Sequence, residues 1–408
     1  MGCFALISDI HFGKFSRTEE FSVPGSIIKD ETIGGESLQQ GLIDILKEKK
    51  VQYIFIAGDL TSIGSPQEFY YCERKIIGIA QQLGLSEKKI ICCLGNHDVD
   101  RGIVALSDKF SSEEMPQEVR KTIEDKYQLI AASSAQNCCD ILKKPLKEGV
   151  APFSGIVEED EFVVFILNSG WQCSQHQEIA HGMLMKNQLE WFNKTCKEYE
   201  SDSRKKIILM HHHPIQYSYP TVGLDISMIE ESSQLLECAG ENGINMILHG
   251  HRHHPKATTV MKDGWKKPIS FICAGSLSVN AEHRNHGEIP NTMHIIEFDK
   301  DIDKIELFNY QFSTGQGWIP FNKYCPETPL DAHMILGNTY TDKEQSDAIL
   351  GYSEYTGKIK WQELCECLKS INYDMLNQKF DVLLSSSHEI FGKFPETVMV
   401  VKKGENHE

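Results

Sequence analysis

The chain contains a series of short apolar runs, each of which ends in a cluster of polar residues. The runs are five to seven residues long and rich in β-branched side chains, which is typical of buried strands. They span residues 4–8, 51–57, 90–94, 162–167, 206–210 and 244–248. The pattern predicts strands that end in polar turns.

Segments with apolar residues at helical spacing lie between several of these runs. They span residues 37–49, 66–83, 186–199 and 229–242, and Ser37 is a suitable N-cap for the first. Strands that alternate with helices indicate a layered α/β fold. In such folds ligands bind beyond the carboxyl ends of the strands, which is where the polar clusters of this chain lie.

Three stretches depart from this alternation. Residues 102 to about 150 have a polar helical pattern, which predicts a helical insert over one edge of the site. Residues 254 to about 320 show partial period-2 alternation, which predicts antiparallel strands. After a Pro-rich segment, residues 330–408 resemble a small helical appendage. We therefore expect a domain over 1–320 and an appendage over 330–408.

Composition and charge limit the classes of partner. The 408 residues carry 41 Lys and Arg against 58 Asp and Glu, a net charge of −17, which disfavours binding of extended nucleic acid although a local basic groove stays open. No run approaches the ~20 apolar residues of a membrane span, and the N-terminus lacks a secretory pattern. The 13 cysteines show neither a disulfide framework nor a Cys-x-x-Cys motif. We expect a cytoplasmic protein with reduced thiols.

The distribution of histidine points to metal chemistry. Seven of the 17 histidines fall within residues 211–254, where even spacing would place roughly two. Upstream strand ends carry matching oxygen and nitrogen groups, in Asp9-Ile10-His11, Gly58-Asp59 and Gly95-Asn96-His97-Asp98. Carboxylate, amide oxygen and imidazole without thiolate suit divalent ions such as Mn, Fe or Zn.

The spacing of these groups has a mechanical reason. In an extended strand end, residues i and i+2 point to the same side, so Asp9 and His11 can bind one ion together. Gly58 and Gly95 let the backbone approach closely. Two ions about 3.5–4 Å apart need a bridging carboxylate, for which Asp59 is the natural candidate.

In this order, Asp-x-His, Gly-Asp, Gly-Asn-His-Asp, His-x-Pro and Gly-His-x-His resemble the motifs of the calcineurin-like metallophosphoesterase superfamily. The resemblance covers residues 4 to about 300. Leu167 to Gly170, Gly182 to Trp191 and Ala274 to Ser276 are similar to features of its cyclic-nucleotide phosphodiesterase-like branch. The fold implied is the α/β, four-layer metallophosphoesterase fold, with a central β-sandwich flanked by helices and metals at the strand ends.

The resemblance also implies the ligand sets. It places Asp9, His11, Asp59 and His253 on one metal, and Asp59, Asn96, His212 and His251 on the other. His-x-Pro selects His212 from the run His211 to Pro214, with His211 as the reserve candidate. Two divalent ions per chain are expected, with Mn favoured and Fe, Zn or Ni as alternatives.

Proton chemistry is assigned to His97. The residue follows Asn96, so its imidazole can lie near a metal-bound phosphate and protonate a departing alkoxide. The alternative is that His97 only positions the loop. Arg101 or Arg252 would contact a non-bridging phosphate oxygen, although a solvated or ion-paired role is equally open for both.

The function predicted is dinuclear metal-dependent hydrolysis of phosphodiesters. Cyclic nucleotides or small nucleotide diesters are the favoured substrates, Asp59 bridges the ions and His97 assists the leaving group. The alternatives are a metal-dependent nuclease, a phosphomonoesterase or protein phosphatase, and a non-catalytic interaction module on the same fold. The segment 330–408 is a candidate for docking a protein partner or for oligomerisation.

Overall fold

The described residues form seventeen strands and seven α-helices. The computed structural model describes residues 2–28, 36–98, 147–148, 154–170, 182–216, 227–298, 304–322, 330–337, 340, 342–369, 373–394 and 396–403. In chain order, the strands are β1 (Gly2–Ile7), β2 (Tyr53–Ala57), β3 (Ile90–Cys93), β4 (Lys147–Glu148), β5 (Gly155–Glu158), β6 (Phe162–Ile166), β7 (Lys205–Leu209), β8 (Met246–His249), β9 (Lys256–Val260), β10 (Ile269–Cys273), β11 (Thr292–Phe298), β12 (Ile305–Ser313), β13 (Gly317–Pro320), β14 (His333–Leu336), β15 (Gly357–Ile359), β16 (His388–Phe391) and β17 (Val398–Lys402).

The helices lie mostly where the helical spacing predicts them. They are α1 (Leu38–Glu48), α2 (Pro66–Gln82), α3 (Lys186–Glu198), α4 (Ser232–Glu241), α5 (Asp342–Leu350), α6 (Glu366–Lys369) and α7 (Tyr373–Leu384). Ser37 and Ser65 cap the first two helices, because each hydroxyl accepts a hydrogen bond from the backbone N–H three residues on. Among the helices of the described residues, none has the length and apolarity needed to cross a membrane.

Two seven-stranded sheets and one small sheet are formed. The first sheet has the order β13-β12-β11-β1-β2-β3, with β14 also paired to β12, and the second has the order β4-β5-β6-β7-β8-β10-β9. Strands β1, β2 and β3 run parallel, as do β6, β7, β8 and β10. The antiparallel strands predicted after residue 254 are present, but β10 is parallel to β8 as well as antiparallel to β9.

Strand β6 shows why the two sheets form a sandwich with helices outside. Phe162, Val164 and Ile166 point into a core shared with the first sheet, whereas Val163 and Phe165 point into a second core shared with α3 and α4. Successive side chains of a strand alternate between faces, so an unbroken apolar run covers both. Helices α1 and α2 pack on the other side of the first sheet. This is the expected four-layer fold.

Residues 342–403 form a further unit with its own core. Trp361, Leu368, Phe380 and Val400 are buried there. The unit contains α5, α6 and α7, but also the three-stranded sheet β15-β17-β16. The expectation of a purely helical appendage is therefore incomplete, because the short strands around Gly357 and the C-terminal Val398–Lys402 lack the long apolar runs that marked the other strands. The predicted insert at 102–150 lies outside the described residues apart from β4.

The hydrogen bonds between strands place the boundary between the main domain and the C-terminal unit after residue 330. Strand β14 pairs with Ile305 to Phe308 of β12. Leu330 and Leu336 are buried in the core of the first sheet. We propose that the main domain extends to about residue 337, and the division of the chain into domains stays a prediction.

Truncation at the two candidate boundaries tests this division. A chain ending at residue 337 should fold, whereas one ending at 329 should have a lower free energy of unfolding because it loses β14. The loss should be roughly 1.5–3 kcal/mol for each buried leucine removed. Urea unfolding followed by circular dichroism measures the difference. Equal midpoints for both truncated chains would contradict the proposed boundary.

Candidate metal centre

Polar side chains from both sheets meet at the carboxyl ends of the parallel strands. The cluster, which we call the dinuclear cluster, consists of Asp9 and His11 after β1, Asp59 after β2, Asn96 after β3, His211 after β7, and His251 and His253 after β8. Six of these residues belong to the predicted ligand sets, and His211 replaces His212. The two sheets therefore each supply part of one site.

An unusual backbone conformation positions five of the seven side chains. Asp9, His11, Asp59, His251 and His253 all have positive φ, between 48° and 88°. A left-handed conformation costs a residue other than glycine of order 1–3 kcal/mol, and such residues concentrate at functional sites. The prediction that Asp9 and His11 share one site is in line with their placement, but the extended strand end assumed for it is wrong, because both residues are left-handed.

The first group of atoms surrounds Asp9. His253 Nε2 lies 3.3 Å from Asp9 Oδ1, and His11 Nε2 lies 3.8 Å from the same oxygen. His11 Nε2 is also 3.3 Å from Asp59 Oδ2. These atoms face one another at the separations expected of ligands that share an ion.

The second group surrounds Asn96. His211 Nε2 lies 3.1 Å from Asn96 Oδ1, and His251 Nδ1 lies 3.1 Å from the same oxygen. His211 Nε2 is also 3.3 Å from Asp59 Oδ2. Asp59 Oδ2 is thus equally distant from an imidazole of each group, which is the position that a bridging carboxylate requires.

The structure places His211, the reserve candidate, in the dinuclear cluster and His212 outside it. In β7, Ile207 and Leu209 face the sandwich interior, and His211 continues that alternation toward Asp59. His212 continues the opposite face, and its Nδ1 lies 2.9 Å from Ser169 Oγ. The spacing from proline favours His212, whereas the parity of positions along the strand identifies His211 as the histidine that faces Asp59. The assignment of His211 as the metal ligand is therefore a proposal.

Burial makes this cluster electrostatically demanding. Asp9 is 0% and Asp59 1% exposed. Burial raises the pKa of Asp9, but the nearby imidazoles of His11 and His253 outweigh burial and hold that pKa below its ordinary range. Burial lowers the pKa of His11, but the Asp59 and Asp9 carboxylates outweigh it and raise that pKa to about 9. The carboxylates therefore stay ionised and attract positive charge.

The residues present fit divalent cations. Asp9 Oδ1 and both ring nitrogens of His11 are buried without a hydrogen-bond partner, and such atoms are costly to bury unless they are satisfied in another way. The donors are carboxylate and amide oxygens and imidazole nitrogens, which suit Mn, Fe or Zn. A cation would satisfy these atoms and balance the two carboxylates.

Gly95 gives the cluster its close packing. A Cβ at this position would collide with the carboxylate and the backbone nitrogen of Asp59. Gly58 has φ of +87°, and a Cβ there would meet the His211 ring and the Gly95 nitrogen. At both positions the lack of a Cβ therefore lets the backbone pack closely against the cluster residues, as the sequence suggested.

His97 lies beside the dinuclear cluster, and one of its ring nitrogens is within 4.8 Å of ligand atoms of His11 and Asp59. Its ring centroid is 4.4 Å from that of His11, and its backbone N–H donates to Asp59 Oδ1 at 2.7 Å. His97 Nδ1 lies 3.0 Å from the carbonyl oxygen of Ser62. Because a carbonyl only accepts, Nδ1 carries the proton in this contact, which leaves Nε2 as the nitrogen that can exchange one.

Asp98, which the sequence suggested as a residue that orients its neighbour His97, instead connects two turns of the cluster. Its carboxylate accepts hydrogen bonds from the backbone N–H groups of Leu60, Thr61 and Gly95, and from the Thr61 hydroxyl. Burial and the Asp59 charge raise the pKa of Asp98 to about 6. Asp98 therefore ties the turn after β2 to the turn after β3, and so holds Asp59 and Asn96 in place. Asp98 is part of the Gly-Asn-His-Asp motif, but the motif does not indicate which way its carboxylate points.

The two candidate arginines are not equally placed. Arg252 is exposed and lies in the chain between two cluster residues, His251 and His253. Arg101 lies outside the described residues. An aromatic ring that the sequence did not single out, Phe15, lies 5.7 Å from the His97 ring and 5.9 Å from the His11 ring, measured between centroids.

Replacing the neighbouring histidines tests the register at the end of β7. His211→Ala should remove a bond to the metal and lower metal affinity strongly, whereas His212→Ala should cost at most the ~10–100-fold typical of an outer partner. Metal titration of both variants, with circular dichroism to confirm folding, measures the difference. A larger loss in His212→Ala would restore the choice made from the sequence.

Comparison with known proteins identifies one family and several similar solved structures. A model described as calcineurin-like phosphoesterase matches residues 4–255, while no curated protein sequence matches significantly. A dimetal phosphatase from Danio rerio is 11% identical, with a TM-score of 0.45 over 76% of this chain and 95% of that one. Purple acid phosphatase PPD1 from yellow lupin (Lupinus luteus) is 13% identical, with a TM-score of 0.46 over 78% of this chain and 52% of that one.

These two structural similarities carry no information about the substrate. The family match is decisive for the class, because it covers more than half of the chain and includes every residue of the dinuclear cluster. The chain belongs to the calcineurin-like phosphoesterase family, and its class of activity is metal-dependent hydrolysis of phosphoesters.

Proposed function

We propose that the chain hydrolyses small phosphodiesters, with cyclic nucleotides or short nucleotide diesters as the favoured substrates. The seven residues of the dinuclear cluster would hold two divalent ions, with Mn favoured. The observation that carries the proposal is the position of Asp59 Oδ2, which is 3.3 Å from both His11 Nε2 and His211 Nε2. One carboxylate oxygen thus faces both groups of ligands.

The chain would position a phosphoryl group where the chemistry takes place. Two divalent ions in such a site lower the pKa of water and neutralise charge on the phosphoryl oxygens. Asp59 would keep the two ions close together, and Asp98 would hold Asp59 and Asn96 in register through its four hydrogen bonds. Arg252, which lies between His251 and His253 in the chain, would bind a non-bridging oxygen. Arg101 stays a candidate for the same role.

His97 would transfer a proton to the leaving oxygen. The Ser62 carbonyl holds Nδ1 at 3.0 Å, which fixes the ring and directs proton exchange to Nε2. The ring lies against His11, so it is close to the first group of ligands. A positioned imidazole of this kind contributes ~10²–10⁴-fold to the rate.

Phe15 supports a substrate with a planar group. Its side chain is half-buried beside His11 and His97, and the Lys14 ammonium lies 4.8 Å from the ring centroid. Stacking of a base on an aromatic side chain is worth ~1–3 kcal/mol. The net charge of −17 disfavours long nucleic acid strands. Together these features favour a single nucleotide over a polymer.

Matched substrates test the proposal. After loading with Mn, the chain should hydrolyse a cyclic nucleotide and a nitrophenyl diester faster than the corresponding monoester or single-stranded DNA. In Phe15→Ala, kcat/KM for the cyclic nucleotide should fall by ~5–150-fold, which corresponds to the loss of one stacked base, and kcat/KM for a methyl nitrophenyl diester should change little. These rates are measured on preparations of known metal content.

Each alternative predicts a different result. Preference for monoesters would indicate a phosphomonoesterase or protein phosphatase, and preference for DNA would indicate a nuclease. Two bound ions without turnover of any ester would indicate a non-catalytic module. Cytoplasmic location and a docking role for 330–408 stay predictions.

The role of His97 predicts a dependence on the leaving group. In His97→Ala, hydrolysis of an alkyl diester should fall by ~10²–10⁴-fold, whereas hydrolysis of a nitrophenyl diester should fall much less, because nitrophenolate leaves without a proton. Turnover and metal content are measured on the same preparations. Equal losses for both substrates, or loss of an ion, would reject the acid role and favour a purely positional one.

A further inference from the structure

A second cluster of metal-binding side chains lies close to the dinuclear cluster. It consists of His213, His249 and Cys273, whose ligand atoms all lie within 4.8 Å of one another. The three side chains are 4%, 0% and 0% exposed. They stand near the carboxyl ends of β7, β8 and β10, which are adjacent strands of the second sheet.

The cluster faces the other side of this sheet. Ile247 and Phe271 belong to the core shared with α3 and α4, and by alternation His249 and Cys273, two residues further on, point the same way. His249 and Cys273 are direct neighbours across the parallel pair β8 and β10. His213 completes the group, with its ring centroid 4.8 Å from that of His249.

The separations suit a tetrahedral ion. Zinc bonds of ~2.3 Å to sulfur and ~2.0–2.1 Å to nitrogen put the two ligand atoms about 3.6 Å apart. Cys273 Sγ lies 3.9 Å from His213 Nε2, and 3.5 Å from the carbonyl oxygen of Gly250. The distances from the sulfur to the imidazole nitrogen and to the carbonyl oxygen are thus close to the ligand-to-ligand distance expected of a tetrahedral zinc site. His249 is the third side chain beside the sulfur.

We propose that His213, His249 and Cys273 form a third metal site, distinct from the dinuclear cluster, that binds zinc or an ion of similar softness. A thiolate and two imidazoles form a softer donor set than the oxygen-rich dinuclear cluster, so the site selects Zn over Mn. The thiol proton leaves when the ion binds. The ion would tie together three strand ends, two of which lead directly into His211 and His251.

The competing explanation is a buried S–H···N hydrogen bond. Cys273 Sγ and His213 Nε2 are close enough for this weak contact, and buried cysteines often serve only as small apolar side chains. The two explanations differ in one observable: only a metal site contains a sulfur–metal bond. The dinuclear cluster has no cysteine, so such a bond distinguishes the proposed site from that cluster.

Cobalt provides the test. The full chain is stripped with a chelator, loaded with Co²⁺ and examined by near-ultraviolet absorption, where a thiolate bound to Co²⁺ gives a charge-transfer band and oxygen or nitrogen ligands do not. The wild type should show the band, and Cys273→Ala and His249→Gln should lose it. Zinc content should fall from three ions per chain to two in Cys273→Ala.

Two controls separate this site from the dinuclear cluster and from other thiols. Cys196→Ala, which removes another fully buried cysteine on α3, should keep the band and three ions. His211→Ala should keep the band while it loses dinuclear metal. A cobalt-loaded wild type that binds two ions without the band, or a band that persists in Cys273→Ala, would overturn the proposal whether or not the chain hydrolyses phosphodiesters.

Discussion

Two buried carboxylates impose the constraint on which the rest of the site depends. Asp9 and Asp59 are almost completely buried, and an ionised carboxylate removed from water needs opposite charge close by. Their nearest side-chain partners are the imidazoles of His11, His211 and His253, at 3.3–3.8 Å. Burial alone would keep His11 and His211 neutral, but the carboxylates outweigh burial and raise the pKa of both imidazoles to about 9. The site therefore concentrates negative potential, which divalent cations balance better than protons do, because one ion can contact several donors at once.

The architecture provides what this charge arrangement requires. The ligands come from five strands in two sheets, and five of them sit on left-handed residues, each at a cost of order 1–3 kcal/mol. A local motif could not hold so many strained residues. Here both faces of the second sheet are buried in separate cores, and β1 is central in the first sheet. Asp98 adds direct support, since its carboxylate joins the turns that carry Asp59 and Asn96. The packing of the strands in the two cores thus stabilises the strained residues at the strand ends.

Much of this could be predicted from sequence, because the signals were local. Apolar runs and helical spacing located the strands and helices of the main domain, and the motifs located six of the seven cluster residues. The features that were not predicted are the direction of side chains at a strand end, the backbone conformation of the ligands and the strands of the C-terminal unit. Choosing between His211 and His212 requires knowing which residues of β7 face the sandwich interior. The spacing from proline does not give this information. The left-handed conformation of Asp9 is imposed by tertiary contacts. Strands β15, β16 and β17 are short and pair around a small core, so their period-2 signal is weak.

The alternation of β8 and its following turn links the two proposed metal sites. His249 points toward the helix side of the second sheet, and His251 reaches Asn96 in the dinuclear cluster. One short segment thus supplies an imidazole to each site, and the sulfur of Cys273 lies only on the helix side. The donor sets differ accordingly: the dinuclear cluster combines carboxylate, amide and imidazole, whereas the other cluster combines thiol and imidazole. Since soft ligands favour soft ions and oxygen ligands accept Mn, separating the thiol from the carboxylates gives the two sites different metal preferences. On this view the second sheet separates the two sites. The face of a strand decides which donor atoms it presents, and these donor atoms set which ion each site prefers.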